Sequence, residues 1–409
     1  MIHQKILPTA RSGASVGIDV DSDFSPSAET NWGWFNCVTR EYNQLETRSA
    51  TVRKVNPNPR ISQIEVEISQ AFRERGYDVP AITPISPTEL DVEYIEGLTF
   101  GEEVFFDREL TPQIYVEKLR EKYALARRMD RELESILTLE QETFFREKER
   151  AARKDSPHPY YPLTSKVRKR IEEAGLPQKD AFYLPLMLAE ELLKEYGTDN
   201  KRWCLDAHGE NFVGNTRIDF NSLSYGPLNQ FVILDTPPMF NLDFWMRRLH
   251  PENIGRVRYL EAAREELVRE AAEEEGIDPD KKVFTYHLTR VFRNTLQMVH
   301  SYQDALKVLP STKRPGLGPL ESVKLFQAVN RLFAHYDQAD NGIRAMAEIA
   351  GIDQEVIRPF YQGIEAMTRE MMGRVMQDQP AMQSEFQQYA FVWPNYRDFK
   401  RNYPTFPSI

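Results

Sequence analysis

The segment Asp206-Ala207-His208-Gly209-Glu210-Asn211-Phe212-Val213-Gly214-Asn215 gathers acids, amides and a histidine in one short stretch. Asp235 follows it at the end of the apolar run Phe231-Val232-Ile233-Leu234. An acid with an Asn five positions on, as Glu210 and Asn215 stand, and a later Asp closing a strand is the spacing that kinase-type phosphoryl transfer uses. In that chemistry the acid orients the attacking hydroxyl and accepts its proton, while the Asn and the later Asp hold the metal ions that bridge the phosphates. Magnesium prefers such hard oxygen ligands. Positioning and charge neutralisation supply nearly all of the catalysis, so a few side chains are enough to run it. On this reading Glu210 is the base, Asn215 and Asp235 hold the metal, and His208 shapes the loop rather than acting as a base. Asp206 takes over as the base if the loop is shifted in register. Asp235 also fits a plain turn cap before Thr236-Pro237-Pro238.

These residues need elements to hold them. Upstream, β-branched and aromatic residues alternate with polar ones over Trp34 to Tyr42 and Ser49 to Val55, which predicts a hairpin. Asn56-Pro57-Asn58-Pro59 stops the second strand, and Ser62 is the expected cap of a helix with Ile64, Ile68, Ala71 and Phe72 on one face, ended by Gly76. Strands are expected at Ala81 to Ile85 and Leu90 to Tyr94. Beyond Gly97 the pattern is mostly helical, interrupted by strand-like Trp203-Cys204-Leu205 and Phe231 to Leu234 around the acidic loop. The expected division is 1–96 for a sheet-and-helix unit, 97–380 for a helical unit carrying the loop, and 381–409 for an aromatic tail.

Bulk properties exclude some classes. The chain has 409 residues, 41% of them hydrophobic, enough to bury a large core. A formal charge of -10 argues against nucleic-acid binding, which needs a surplus of Lys and Arg on the surface, and suits a cationic or neutral small molecule. Cys37 and Cys204 lie far apart without zinc or disulfide spacing, so a reducing cytoplasm is expected. No basic leader with an apolar stretch and no long apolar run occurs, so neither secretion nor a membrane is expected. Nothing in the sequence bears on oligomeric state.

The loop resembles the His-Gly-Asp-x-x-x-x-Asn catalytic loop of the aminoglycoside phosphotransferase and choline kinase group, which shares the protein-kinase fold. Asp235 matches that group's second metal-binding Asp, and other pieces fall in the family's order. Thr51-Val52-Arg53-Lys54 resembles the third-strand lysine motif, whose lysine contacts the nucleotide's α- and β-phosphates. Arg53 is the alternative if the strand register slips by one. Glu65 sits where the following helix carries the partner carboxylate, with Glu67 as competitor. Val92-Glu93-Tyr94-Ile95-Glu96-Gly97 is similar to the hinge, so that backbone groups of Glu93, Tyr94 and Ile95 would hold adenine. Asp243 looks like the acid that caps the loop from below.

The resemblance implies an α+β, two-lobed fold, with a small antiparallel-sheet N-lobe and a large helical C-lobe. It implies ATP and Mg2+ between the lobes and transfer of a phosphate to a hydroxyl of a small-molecule acceptor. Two departures stand out. Glu210 replaces the family's Asp, and the glycine-rich phosphate loop is reduced to Asn31-Trp32-Gly33 or Ser12-Gly13-Ala14-Ser15-Val16-Gly17. The first departure motivates a rival reading: a catalytically silent, nucleotide-binding pseudokinase with a regulatory role. A helical interaction protein, with the motif order a coincidence, is the second rival.

Overall fold

A computed structural model describes residues 37–41, 51–106, 110–153, 191–198, 201–226, 229–235, 251–308, 335, 338–353 and 356. Expectations for the N-terminal glycines, Asp243 and the aromatic tail lie outside these residues.

The expected hairpin forms β1 (Cys37–Glu41) and β2 (Thr51–Val55), paired antiparallel. With β3 (Ile82–Ser86) and β4 (Glu89–Glu93) they make a four-stranded antiparallel sheet in the order β1-β2-β4-β3. Helix α1 (Pro59–Glu74) lies between β2 and β3 in sequence and contacts β3. Its apolar face repeats at helical spacing, and Ile61, Ile64, Ile68 and Phe72 are all buried. The N-cap is Asn58 rather than Ser62: its side chain accepts from the backbone N–H groups of Arg60 and Ile61 at 3.0 and 3.4 Å. Pro59 supplies a preset φ where no N–H is needed, so the helix starts earlier and Ser62 is buried inside its first turn. Gly76, at φ +81, lets the chain leave the helix in a left-handed conformation.

The rest of the described chain is dominated by α2 (Phe100–Phe106), α3 (Pro112–Ile136), α4 (Leu139–Arg153), α5 (Pro251–Glu275) and α6 (Pro279–Val308). Helix α3 is the central member. It presents Tyr115, Leu119, Tyr123, Ala126, Met129 and Leu133 inward and packs against α5 and the loop-bearing strands. One apolar core runs from Ile64 and Phe72 of α1 through Leu119 and Met129 to Phe231 and Tyr286. Sheet helix and helical bundle are therefore welded by shared burial. The described residues thus form a mixed architecture, a small antiparallel sheet with a large helical portion. No helix among them is long and apolar enough to cross a membrane.

Strand-like Trp203-Cys204-Leu205 falls in β5 (Arg202–Leu205), which pairs antiparallel with β8 (Leu223–Gly226). Between them lie the unexpected two-residue strands β6 (Phe212–Val213) and β7 (Thr216–Arg217). The run Phe231 to Leu234 is not a strand: it belongs to a 3-10 turn, Asn229–Asp235. All four of these apolar residues are buried. A short run buried on every side carries no periodicity, which is why strand and helical turn cannot be told apart there from sequence.

Helices α5 and α6 are joined by buried charge. Glu261 accepts from Arg290 Nη1 and from Arg264 Nη1 at 2.5 and 3.3 Å. Burial pushes the Glu261 carboxyl up, and the two guanidinium groups overcome it and hold its pKa at about 2. A depressed carboxyl stabilises the fold above its unfolded value near 4.5, and that stabilisation is lost as pH falls toward 2. Glu261→Gln is therefore expected to lower stability by roughly 3 kcal/mol at pH 7, with the gap to wild type closing between about pH 4.5 and 2. Chemical denaturation across that range checks it; a gap that does not change with pH would refute the assignment.

Candidate active site

The alternation of β2 decides which basic residue faces inward. Arg53 Nε pairs with Asp91 Oδ1 of β4 at 2.8 Å, whereas Lys54 is turned the other way and is buried. Glu65 lies on the buried face of α1 between Ile64 and Ile68 and is wholly inaccessible, while Glu67 instead accepts from Gln141 and Gln63. Lys54 Nζ donates to Glu65 Oε1 at 2.5 Å and to Asp219 Oδ1 at 2.8 Å. One ammonium thus joins the sheet, α1 and the segment after β7.

Burial by itself would lower the Lys54 pKa, and the carboxylates of Asp219 and Glu65 reverse this and hold it above its ordinary value. Burial raises Glu65 to about 7 against the pull of Lys54, with Asp219 adding repulsion. Asp219 shows the opposite outcome: burial would raise it, but Lys54 and the Asn221 N–H hold it low. The Asp219 side chain is 23% exposed, and Glu65 Oε2 is buried without a hydrogen-bond partner. The cluster is thus held as a cation between an ionised Asp and a Glu that burial makes reluctant to ionise.

The acidic loop starts where β5 ends. Asp206 is partly exposed, and its backbone carbonyl accepts from Asn211 Nδ2 at 2.7 Å across the 3-10 turn Gly209–Asn211. His208 is buried, with Nε2 at 3.8 Å from Asp206 Oδ2. The hairpin β6–β7 turns at Gly214, φ +55, and returns the chain so that the Ile218 N–H donates to the Asn211 carbonyl at 3.0 Å. Asp219 then follows directly. Phe220 beside it is buried against Phe72 of α1, ring centroids 5.9 Å apart. Asp206, Asn211 and Asp219 are therefore held on one compact scaffold.

The residues assigned from the sequence fall in different places. Lys54 and Glu65 meet as described. Asn215 is exposed at the tip of the β6–β7 hairpin, and its Oδ1 accepts from Lys122 Nζ at 2.7 Å. Glu210 lies in the 3-10 turn and Asp235 ends the other one, and their side chains lie outside the described residues. Glu93 ends β4: its N–H donates to Ala81 O and its carboxylate accepts from Ala81 N, both at 2.8 Å. Tyr94 and Ile95 follow, half-buried, on the way to α2. Gly97 comes next at φ +141, where a Cβ would stand 3.0 Å from Val213 Cγ1, and Thr99 bridges to Val213. Only glycine suits that approach, and it ties the segment after β4 to the hairpin below the acidic loop.

Asp219, which the sequence reading did not single out, joins Lys54 and Glu65 in this cluster. A signal for it was present: Asp206 and Asn211 stand five apart, as Glu210 and Asn215 do, and Asp219 follows at the end of a β-like pair. Among the described residues no three His, Cys, Asp or Glu side chains cluster as a metal cage.

No protein-family model matches the sequence, and no curated protein matches it. Solved structures of aminoglycoside phosphotransferases do. The gentamicin complex of APH(2'')-IIa shares 16% identity with a TM-score of 0.33, covering 77% of this chain and 96% of that one. ADP-bound APH(2'')-Ib shares 14% identity with a TM-score of 0.31, covering 76% and 97%. Superposition at these scores is loose, and the architecture rests on the element order and contacts described above.

Proposed function

We propose that this chain is an ATP- and magnesium-dependent phosphotransferase that moves the γ-phosphate to a hydroxyl of a small molecule. The observation that carries this reading is the Lys54 ammonium held at once by Glu65 and Asp219, because kinase chemistry needs a strand lysine paired with a helix glutamate next to a metal-binding Asp. Asp206 and Asn211 supply the acid and the Asn five residues on. The roles first read onto Glu210, Asn215 and Asp235 thus move to Asp206, Asn211 and Asp219.

In this reading Lys54 binds the α- and β-phosphates, and Glu65 keeps its ammonium aimed. Backbone groups of Glu93, Tyr94 and Ile95 receive adenine. Asp219 and Asn211 offer two oxygen ligands, which suits an ion that keeps waters and takes phosphate oxygens for the rest of its shell. Magnesium, when bound, neutralises charge on the β- and γ-phosphate oxygens. Asp206 orients the acceptor hydroxyl and takes its proton as the oxygen attacks phosphorus and the bond to the β-γ bridging oxygen breaks. His208 packs behind that loop. With Asp206 as base, Glu210 no longer marks lost catalysis, and the silent regulatory module loses the feature that favoured it.

Thermal unfolding with ATP, with and without magnesium, comes first. Ligand at about 100 times its Kd should stabilise the protein by about 2.7 kcal/mol. Labelled ATP with a panel of small hydroxyl compounds then reads turnover. Absence of any magnesium-dependent stabilisation would remove the proposal, and binding without transfer to any acceptor would favour the regulatory module.

A further inference from the structure

Arg217 sits in β7, two residues before Asp219, and is completely buried, which is costly for a guanidinium without partners. Its Nη2 donates to the Asp206 carbonyl at 2.6 Å, and its Nε reaches the Asp219 carbonyl at 3.4 Å. The guanidinium also lies over the Phe212 ring, 5.3 Å from the centroid. Buried Asp130 of α3 accepts from the N–H of Leu205, the residue that precedes Asp206, at 3.0 Å. Asp130 provides the largest opposing charge for Arg217. A planar fork with donors in fixed directions can hold two main-chain oxygens at a set separation, as a lysine cannot.

We propose that Arg217 is a positioning residue, a buried clamp that fixes the backbone of Asp206 relative to that of Asp219. The proposal rests on the phosphotransferase reading for its catalytic consequence but not for its geometry. Asp206 serves the acceptor and Asp219 the phosphates, so their spacing sets the distance across which the phosphate is transferred. An ångström of misplacement in such a site can cost about 10² in rate. Arg217 and Asp130 are both buried, out of reach of the cleft.

Arg217→Met alone removes a positive charge near buried Asp130 and can fail to fold, so Arg217→Met/Asp130→Asn is the working variant. It is charge-balanced, and the amide oxygen introduced by Asp130→Asn can still accept from the Leu205 N–H. Arg217→Lys keeps the charge but not the fork. Two readouts are needed. In the ligand-free protein, amide hydrogen exchange over 206–211 and 218–221 should speed up by about tenfold or more in the double variant, while 61–72 of α1 stays unchanged. In turnover, kcat should fall by about 10² with KM for the acceptor within about threefold, and Arg217→Lys should recover only part of it. Unchanged exchange in those two segments overturns the clamp whether or not the protein is active. Faster exchange with unchanged kcat overturns its role in catalysis. A wild type that binds no magnesium-ATP sinks the phosphotransferase reading instead, and the exchange result still decides the clamp.

Discussion

Asp206→Asn is expected to reduce turnover by about 10² to 10⁴ while leaving magnesium-ATP affinity within about threefold. Asn keeps nearly the same size and can still orient an acceptor hydroxyl, but it cannot take the proton. The structural cost should be small, because the scaffold bonds at this position use the Asp206 main chain: its carbonyl accepts from Asn211 and Arg217, and its N–H donates to Ser222. Glu210→Gln is the paired control, one methylene longer and four positions on, and its turnover should stay near wild type. Steady-state kinetics with saturating ATP measures both. If Glu210→Gln is the damaged variant and Asp206→Asn is not, the base is Glu210 and the catalytic register is the one that pairs it with Asn215.

Asp219→Asn is expected to abolish magnesium-dependent stabilisation by ATP and to lower turnover by at least about 10². The substitution removes the charged metal ligand and one of the two carboxylates around Lys54. The fold should survive, because loss of the Asp219 repulsion that helps to raise Glu65 lets it ionise beside the buried ammonium, and Phe220 keeps its packing against Phe72. Asp235→Asn should by contrast bind magnesium-ATP as wild type does. Thermal unfolding at fixed ATP over a magnesium series separates the two acids. Retention of magnesium-dependent binding by Asp219→Asn, together with its loss in Asp235→Asn, would return the metal to the 3-10 turn. A variant such as Glu65→Gln should be milder than Asp219→Asn, since it affects the aim of Lys54 rather than a ligand.

Much of the sheet and its helix was legible because the signals there are local. Alternation over Thr51 to Val55, prolines after it and the Ile64, Ile68, Phe72 stripe each depend only on neighbours in the chain. The cap was misplaced by four residues because Ser62 and Asn58 are both competent, and the choice went to the one followed by Pro59. Phe231 to Leu234 was misread because complete burial erases periodicity. The short pairs β6 and β7 are too brief for any pattern to announce them.

What the sequence by itself determined, then, was the inward lysine, its glutamate partner and the order of the elements. The catalytic register was read onto Glu210, Asn215 and Asp235, with Asp206 as the fallback base. Asp206 with Asn211 and Glu210 with Asn215 have the same spacing, so no argument from intervals could choose between them. The tertiary structure adds a contact that intervals cannot supply: Lys54 and Asp219, 165 residues apart, meet at 2.8 Å while Asn215 accepts from Lys122, and the proposed register follows that contact. The cause is burial: an ammonium carried inward by β2 and α1 must be met by carboxylates in three dimensions, and chain separation does not enter that requirement.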